Sequence, residues 1–360
     1  MTQEEIIKRV LHFIENADGS EEAFNKQALY LFAYQYQHNR PYQSYCRQKG
    51  KTLRTVKSWR EIPPVPINAF KELPLSCELP ERAEEIFMTS GTTKGIRGKH
   101  YHPTLEVYDK SMISNFKERF MKDMEKIRMA ILFPNEDNIQ NSSLAHYLAL
   151  AYQTFGTDDS RYFVDNQGLQ IKALIGELEH AEKSGEAFAL LGASFSFVHL
   201  FDELHKLGKS FSLPKGSKIL DTGGFKNQSR ELSLNDFYEQ LGSTLGVDRS
   251  NCINMYGMTE LSTQLYDWGN EKVPSIKSGP YWLRTRVVNP LTGDDVPKGE
   301  QGVLVHCDLA NYNSVTTVLT EDLGIEKNTG FLLLGRVQGT EAKGCSIAVD
   351  EFLKAAKGPS

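Results

Sequence analysis

Apolar residues recur at three- and four-residue spacing over positions 4–16 and again over 21–38, a period that predicts two amphipathic helices packed as a pair. The second is rich in Tyr and Phe. The stretch EIPPVPINAFKELPL breaks the pattern, because prolines at 63, 64, 66 and 74 exclude a continuous helix and predict an extended connector. From about residue 105 helical segments alternate with the short apolar runs RMAILF, AFALLG, SKIL and CINM, which predicts the buried strands of an α/β body. Several of these runs end in small or polar residues with a helix expected to follow, at Gly192-Ala-Ser-Phe, Asp221-Thr-Gly-Gly and Tyr256-Gly-Met-Thr-Glu. In open α/β sheets ligands sit at such carboxyl ends of strands. The last third turns to short strands and tight turns and closes on a short helical pattern over 350–356.

Composition narrows the class. Hydrophobic residues are 40% and charged residues 24%, values of an ordinary globular chain, and no apolar run reaches the roughly 18 residues of a membrane span. The start, MTQEEIIKRV, is acidic at once and lacks the basic opening and apolar centre of a signal peptide, so a cytoplasmic protein is expected. Five scattered cysteines without CxxC spacing argue against a disulfide framework and a zinc site. With a net charge of -5 and dispersed basic residues, nucleic acid is not an expected partner.

The stretch MTSGTTKGIRGKH holds the first candidate chemistry. Hydroxyls and backbone N–H groups of Thr89, Ser90, Gly91, Thr92, Thr93, Lys94 and Gly95 could wrap an anion, with Arg97 and Lys99 adding charge. A solvated turn is the alternative. In INMYGMTELSTQLYD, Tyr256 could stack on a purine, Thr259 could bond a phosphate, and Glu260 could hold Mg²⁺ among phosphate oxygens. A core aromatic and an acid at a helix N-terminus are the plainer readings of Tyr256 and Glu260. Asp322 in LTEDLGI could accept from two ribose hydroxyls, and Arg336 follows an apolar strand in LLLGRVQG; an ordinary surface charge next to a turn is the plainer reading of either.

The order TSGTTKG, DTGG, YGMTE, TEDLG, GR resembles the adenylate-forming enzymes, which include acyl-CoA synthetases, luciferases and nonribosomal adenylation domains. ASFSFVHLFDEL, DTGGFKNQSREL and GCS are most similar to LuxE-like acyl-protein synthetases. The resemblance implies an α/β fold of the adenylate-forming large-domain type with a helical N-terminal segment and a truncated C-terminal region. Its expected divisions are 1–84, 85–335 and a stub, 336–360. It implies that residues 89–95 hold the ATP phosphates, Gly223 and Gly224 line the adenine pocket, Tyr256 and Gly257 lie beside adenine, and Thr259 and Glu260 serve the phosphates and Mg²⁺. Asp322 and Arg336 would hold the ribose, and His199 would wall the acid's carboxylate or be a buried structural histidine. The late lysine domain of acyl-CoA synthetases is not expected, which leaves its work to another cation or to none.

The same resemblance implies activation of a fatty or other hydrophobic acid as acyl-adenylate. The acyl group would pass to Cys345, where a neighbouring glycine leaves room for the carbonyl and Lys343 favours thiolate; without the resemblance, a small buried hydrophobe at the start of SIAV is the plainer reading of this cysteine. It would then move to a partner protein, an aldehyde-forming reductase in the best-known relatives. An acyl- or aryl-CoA ligase and a non-catalytic nucleotide-binding subunit are the rival readings.

Overall fold

The computed structural model describes residues 1–90, 96–225 and 228–357. By internal contacts the chain divides into two units, one of residues 1–112, 258–264 and 278–360, the other of 113–257 and 265–277. Residues 1–84 and 336–360 therefore both fall in the first unit, together with most of the last third of the chain.

The second unit is built on a sheet in the order Leu265–Tyr266, Cys252–Tyr256, Lys218–Thr222, Phe188–Ala193, Arg128–Leu132, Arg161–Tyr162, parallel except for the first strand. The apolar runs form these strands because helices cover them, leaving Phe188–Ala193 and Lys218–Thr222 buried along their whole length. Gly192 permits the close approach of two strands, since a Cβ there would stand 2.8 Å from the Leu132 carbonyl oxygen. Helices Ser194–Lys206 and Leu234–Leu245 follow two of the strands. No helix follows Cys252–Tyr256: residues 257–264 run as turn and loop, contrary to expectation.

The first unit carries an antiparallel run of strands, Leu283–Val288, Gln301–Asp308, Thr317–Lys327 and Gly330–Arg336. Helices Gln3–Asn16 and Glu21–His38 have the predicted bounds to within one residue, the former opened by a Thr2–Glu5 capping box. The proline-rich connector is not simply extended. Val65–Pro66 pairs in parallel with Val318 and Leu319, and a helical turn, Ala69–Glu72, follows in the gap between Pro66 and Pro74. The C-terminal helix also starts earlier than the pattern predicts, spanning Gly339–Lys357.

Gln35 ties the N-terminal helices to the rest of the unit. Its side-chain amide donates to the Asn311 and Tyr312 carbonyls (2.6 and 3.2 Å) and accepts from the Thr316 N–H and hydroxyl (2.9 and 2.8 Å), all buried. Gln35→Ala leaves those groups without partners and is expected to cost about 2–4 kcal/mol. Chemical denaturation measures it, and a midpoint equal to that of the wild type would refute this bracing.

Candidate active site

Strands Glu85–Met88 and Lys99–His102 pair antiparallel and carry the hydroxyl-rich loop as their connection. At its base Thr89 and Gly98 exchange hydrogen bonds, Thr89 N–H to the Gly98 carbonyl and Gly98 N–H to Thr89 Oγ1, both 3.0 Å. Arg97 Nε donates to the Thr89 carbonyl at 2.6 Å, so one of the motif's cations is engaged by the backbone at the strand end. Ser90 is exposed. Gly91, Thr92, Thr93, Lys94 and Gly95 lie outside the described residues.

Glu260 sits against this base: a Cβ on Gly98 would be 3.1 Å from Thr89 Cγ2 and 3.5 Å from Glu260 Oε1. It lies in a turn, so the helix-dipole reading fails for want of a helix. Its residue is only 5% exposed, and burial pushes the carboxyl up to about 7, against the pull of its own N–H, Arg336 and Lys71 and with the push of Asp322. A carboxylate held at such cost beside a phosphate-type loop is suited to a cation, and Mg²⁺ takes one or two carboxylates with phosphate oxygens and water. Among the described residues no group of three or more His, Cys, Asp or Glu forms a self-sufficient metal site.

Three side chains that the motifs did not single out hold the turn. His100 Nδ1 lies 2.9 Å from the Thr259 carbonyl, and burial lowers its pKa to about 4. The ring is therefore neutral at pH 7: Nδ1 donates to the carbonyl, and Nε2 accepts from Ser314 Oγ at 3.1 Å. Asn311 Nδ2 donates to the Glu260 carbonyl at 2.8 Å, while Asp308 accepts from Ser262 N–H and Thr263 Oγ1 at 3.0 and 2.7 Å. Only His100 stood inside a quoted motif. Asp308 and Asn311, in DLANYN, carry no local signal because their role comes from strand pairing far along the chain.

Asp322 and Arg336 are directly opposite each other on neighbouring strands, with Arg336 Nε 3.1 Å from Asp322 Oδ1 and Nη1 3.6 Å from Glu321 Oε2. Asp322 is buried while the Arg336 side chain is 66% exposed. Thus the first unit brings Thr89, Thr259, Glu260, Asp322 and Arg336 into one neighbourhood.

In the second unit Gly223 and Gly224 follow the strand Lys218–Thr222. Gly223 has φ +73, a conformation that a Cβ would strain, and a Cβ on Gly224 would meet nothing within 4 Å. The buried Asp221 anchors their loop by accepting from Ser194 Oγ (2.9 Å), Tyr238 OH (3.0 Å) and Asn254 Nδ2 (2.7 Å). Ser194 Oγ is also 3.1 Å from the Thr222 carbonyl. Tyr256 is half-buried at the end of its strand, so it is not a fully enclosed core aromatic, and Gly257 is exposed. His199 is exposed on helix Ser194–Lys206, with Nε2 2.8 Å from the Gln228 carbonyl, which rules out the buried structural reading.

Cys345 departs from the expectation of a partly exposed thiol. It lies inside helix Gly339–Lys357, 3% exposed, among Val288, Val303, Val305 and Leu319. Gly344 serves packing, because a Cβ there would come within 3.0 Å of Pro290 Cβ; it does not open a path to Cys345.

The family model described as acyl-protein synthetase, LuxE, matches residues 5–354. A long-chain-fatty-acid--luciferin-component ligase of Aliivibrio fischeri is 25% identical over 340 residues, covering 90% of this chain and 86% of that one. The crystal structure of an open conformation of 2-hydroxyisobutyryl-CoA ligase, in complex with 2-HIB-AMP and CoA, matches with a TM-score of 0.65 and 14% identity over 88% of this chain and 69% of that one. ATP-bound MatB from Rhodopseudomonas palustris matches with a TM-score of 0.51 and 15% identity over 72% of this chain and 49% of that one. At such identities the solved structures speak for the fold, which is that of adenylate-forming enzymes. Since the family match leaves only a few residues at either end, on that fold, the chain belongs to the LuxE acyl-protein synthetase family.

Proposed function

We propose that this ATP-dependent ligase activates a long-chain fatty acid with Mg²⁺, loads it onto Cys345 and delivers it to an acyl-accepting, aldehyde-forming partner protein in the cytoplasm. The observation that carries the reading is the buried Glu260 carboxylate set against the base of a hydroxyl-rich loop, with Asp322 and Arg336 close enough to act on its charge. Glu260 would hold Mg²⁺ together with phosphate oxygens, and the ion would supply charge to the polyphosphate. The loop residues 89–95 and Thr259 bind phosphate oxygens; Asp322 and Arg336 bind the ribose; Gly223, Gly224, Tyr256 and Gly257 serve the adenine; His199 lies on the acid's side.

A carboxylate oxygen of the acid attacks the α-phosphorus, the bond to the β-phosphate bridge breaks, and pyrophosphate leaves with its electron pair. The product is a mixed anhydride with AMP as a good leaving group, which the free carboxylate lacks. The Cys345 thiolate then attacks the acyl carbonyl, AMP departs, and a thioester remains. Because Cys345 is packed under its own helix, that transfer requires the helix Gly339–Lys357 to part from the sheet.

ATP–pyrophosphate exchange across fatty, aryl and amino acids tests the reading. Exchange is expected with at least one fatty acid and not with free amino acids, since no acidic residue marks an α-amine site. Exchange with amino acids alone would overturn it. The burial of Cys345 favours one rival, transfer to free coenzyme A, and CoA thioester formed without any protein-bound label would establish that rival instead.

A further inference from the structure

We propose that Lys71 is a catalytic residue whose ammonium binds the β- and γ-phosphate oxygens of the nucleotide and stabilises pyrophosphate as it leaves. The inference rests on the adenylation reading above and adds a residue from a segment outside all of its motifs.

The placement comes from backbone pairing. Val65 and Pro66 lie opposite Val318 and Leu319, and Ile67 N–H donates to the Leu319 carbonyl at 3.0 Å. The helical turn Ala69–Glu72 therefore begins alongside the stretch that leads into Glu321 and Asp322. Its buried Phe70 packs edge-on against His100, ring centroids 5.9 Å apart, and His100 is the ring that holds the Thr259 carbonyl. Phe70 thus faces inward, and Lys71, next in sequence, is exposed and close enough to Glu260 to act on its charge.

Hydrogen bonds trace the same neighbourhood. Lys71 Nζ donates to Asn68 Oδ1 at 2.6 Å, Asn68 Nδ2 donates to Glu321 Oε1, and Glu321 meets Arg336, which in turn pairs with Asp322. Arg336 and Lys71 are the cations acting on Glu260. They differ in commitment. Arg336 is engaged by two carboxylates, whereas among the described residues Lys71 pairs with none and holds only a neutral amide oxygen. An exposed ammonium on a flexible stem can exchange that amide for a phosphate oxygen, a charge-assisted bond of greater strength. In the adenylation step the Pα–O bond breaks and negative charge grows on the departing pyrophosphate. Lys71 contributes hydrogen bonds and charge where that oxygen becomes anionic.

The test uses the full chain with MgATP and tetradecanoate or hexadecanoate. Lys71→Ala is expected to lower the rate of ATP–pyrophosphate exchange about a hundredfold. It should also weaken calorimetric binding of magnesium pyrophosphate by about tenfold, leaving the melting temperature unchanged because the side chain is exposed. Lys71→Arg should recover most of both, and Lys8→Ala, on the exposed face of the first helix, should match the wild type. Lys71→Ala with wild-type exchange and pyrophosphate affinity would overturn the assignment while leaving the adenylation reading standing. Loss of exchange accompanied by a lower melting temperature and no recovery in Lys71→Arg would also overturn it, as a structural role. A wild type that shows no acid-dependent exchange would bring down the adenylation reading, and Lys71 with it.

Discussion

Glu260→Gln removes nearly all acid-dependent ATP–pyrophosphate exchange, about a hundredfold or more, and yet makes the ligand-free protein more stable at alkaline pH. The first effect follows from the proposed role of Glu260, in which the substitution removes a charged oxygen ligand for Mg²⁺ at the base of the hydroxyl-rich loop. The second follows from linkage. Burial raises the Glu260 carboxyl from 4.5 to about 7, so between those values the folded protein holds a proton that the unfolded chain has released. Its stability contribution is complete below about pH 4.5 and is lost as pH rises through about 7, amounting to roughly 3 kcal/mol by pH 8. Glutamine titrates nothing and keeps nearly the same shape. Asp221 and Asp308, both raised to about 6 by burial, lose stability over much of the same range, but equally in both proteins, so the difference isolates Glu260. Melting temperatures from pH 5 to 8 should therefore diverge, the variant ahead at high pH. Parallel melting profiles together with near-normal exchange would return Glu260 to a structural role. The wild type should also bind MgATP more tightly as pH rises through 7, because the ion requires the ionised carboxylate.

Cys345→Ser separates the two half-reactions. Exchange should persist at close to the wild-type rate, since in the proposed sequence the thiol would act only after the adenylate exists, while the hydroxylamine-sensitive acyl label on the protein disappears. Serine is nearly isosteric and far less nucleophilic at neutral pH, so the loss reports chemistry more than shape. The variant does place a hydroxyl among Val288, Val303, Val305 and Leu319, but the Thr320 carbonyl, 3.8 Å from the sulfur, offers a partner. A melting temperature within a few degrees of the wild type is expected on that account. Label that stays, mapped to Cys46, Cys77, Cys252 or Cys307, would move the acyl site elsewhere. Burial raises the Cys46 and Cys307 thiols to about 12, which makes those two poor nucleophiles at neutral pH.

The adenylation reading also bears on substrate order. If the C-terminal helix must leave the sheet before Cys345 can react, the thioester should form only after that packing is broken. Tyr45 against Phe352 (4.9 Å between ring centroids) and the Lys49–Glu351 ion pair (2.5 Å) help to keep the helix docked on helix Arg40–Gln48. The ion pair is solvent-exposed and weak, so the apolar contacts, including Cys345 itself, set the cost of opening.

Local pattern by itself determined the two N-terminal helices, four of the six sheet strands described in the second unit and, through the order of short motifs, the family. Those features need only the period of apolar residues or the identity of neighbours a few positions apart. Residues 257–264, by contrast, look like the start of a helix after a strand, yet they are drawn out into a loop. His100, Asp308 and Asn311 hold that loop, and the long-range strand pairing that assembles them leaves no trace nearby in sequence. The proline-rich segment reads as a bare connector because its prolines forbid a long helix, and only its pairing with Val318 and Leu319 lets one helical turn form there, with Asn68 at its start bonded to both Glu321 and Lys71. Cys345 shows the same division most sharply. The residues around GCS are compatible with a small buried hydrophobe, and it is the family resemblance that raises the expectation of a partly exposed thiol; the tertiary fold buries it, because Gly344 lets the helix close on Pro290 and the apolar face around Cys345 is worth more against the sheet than in water.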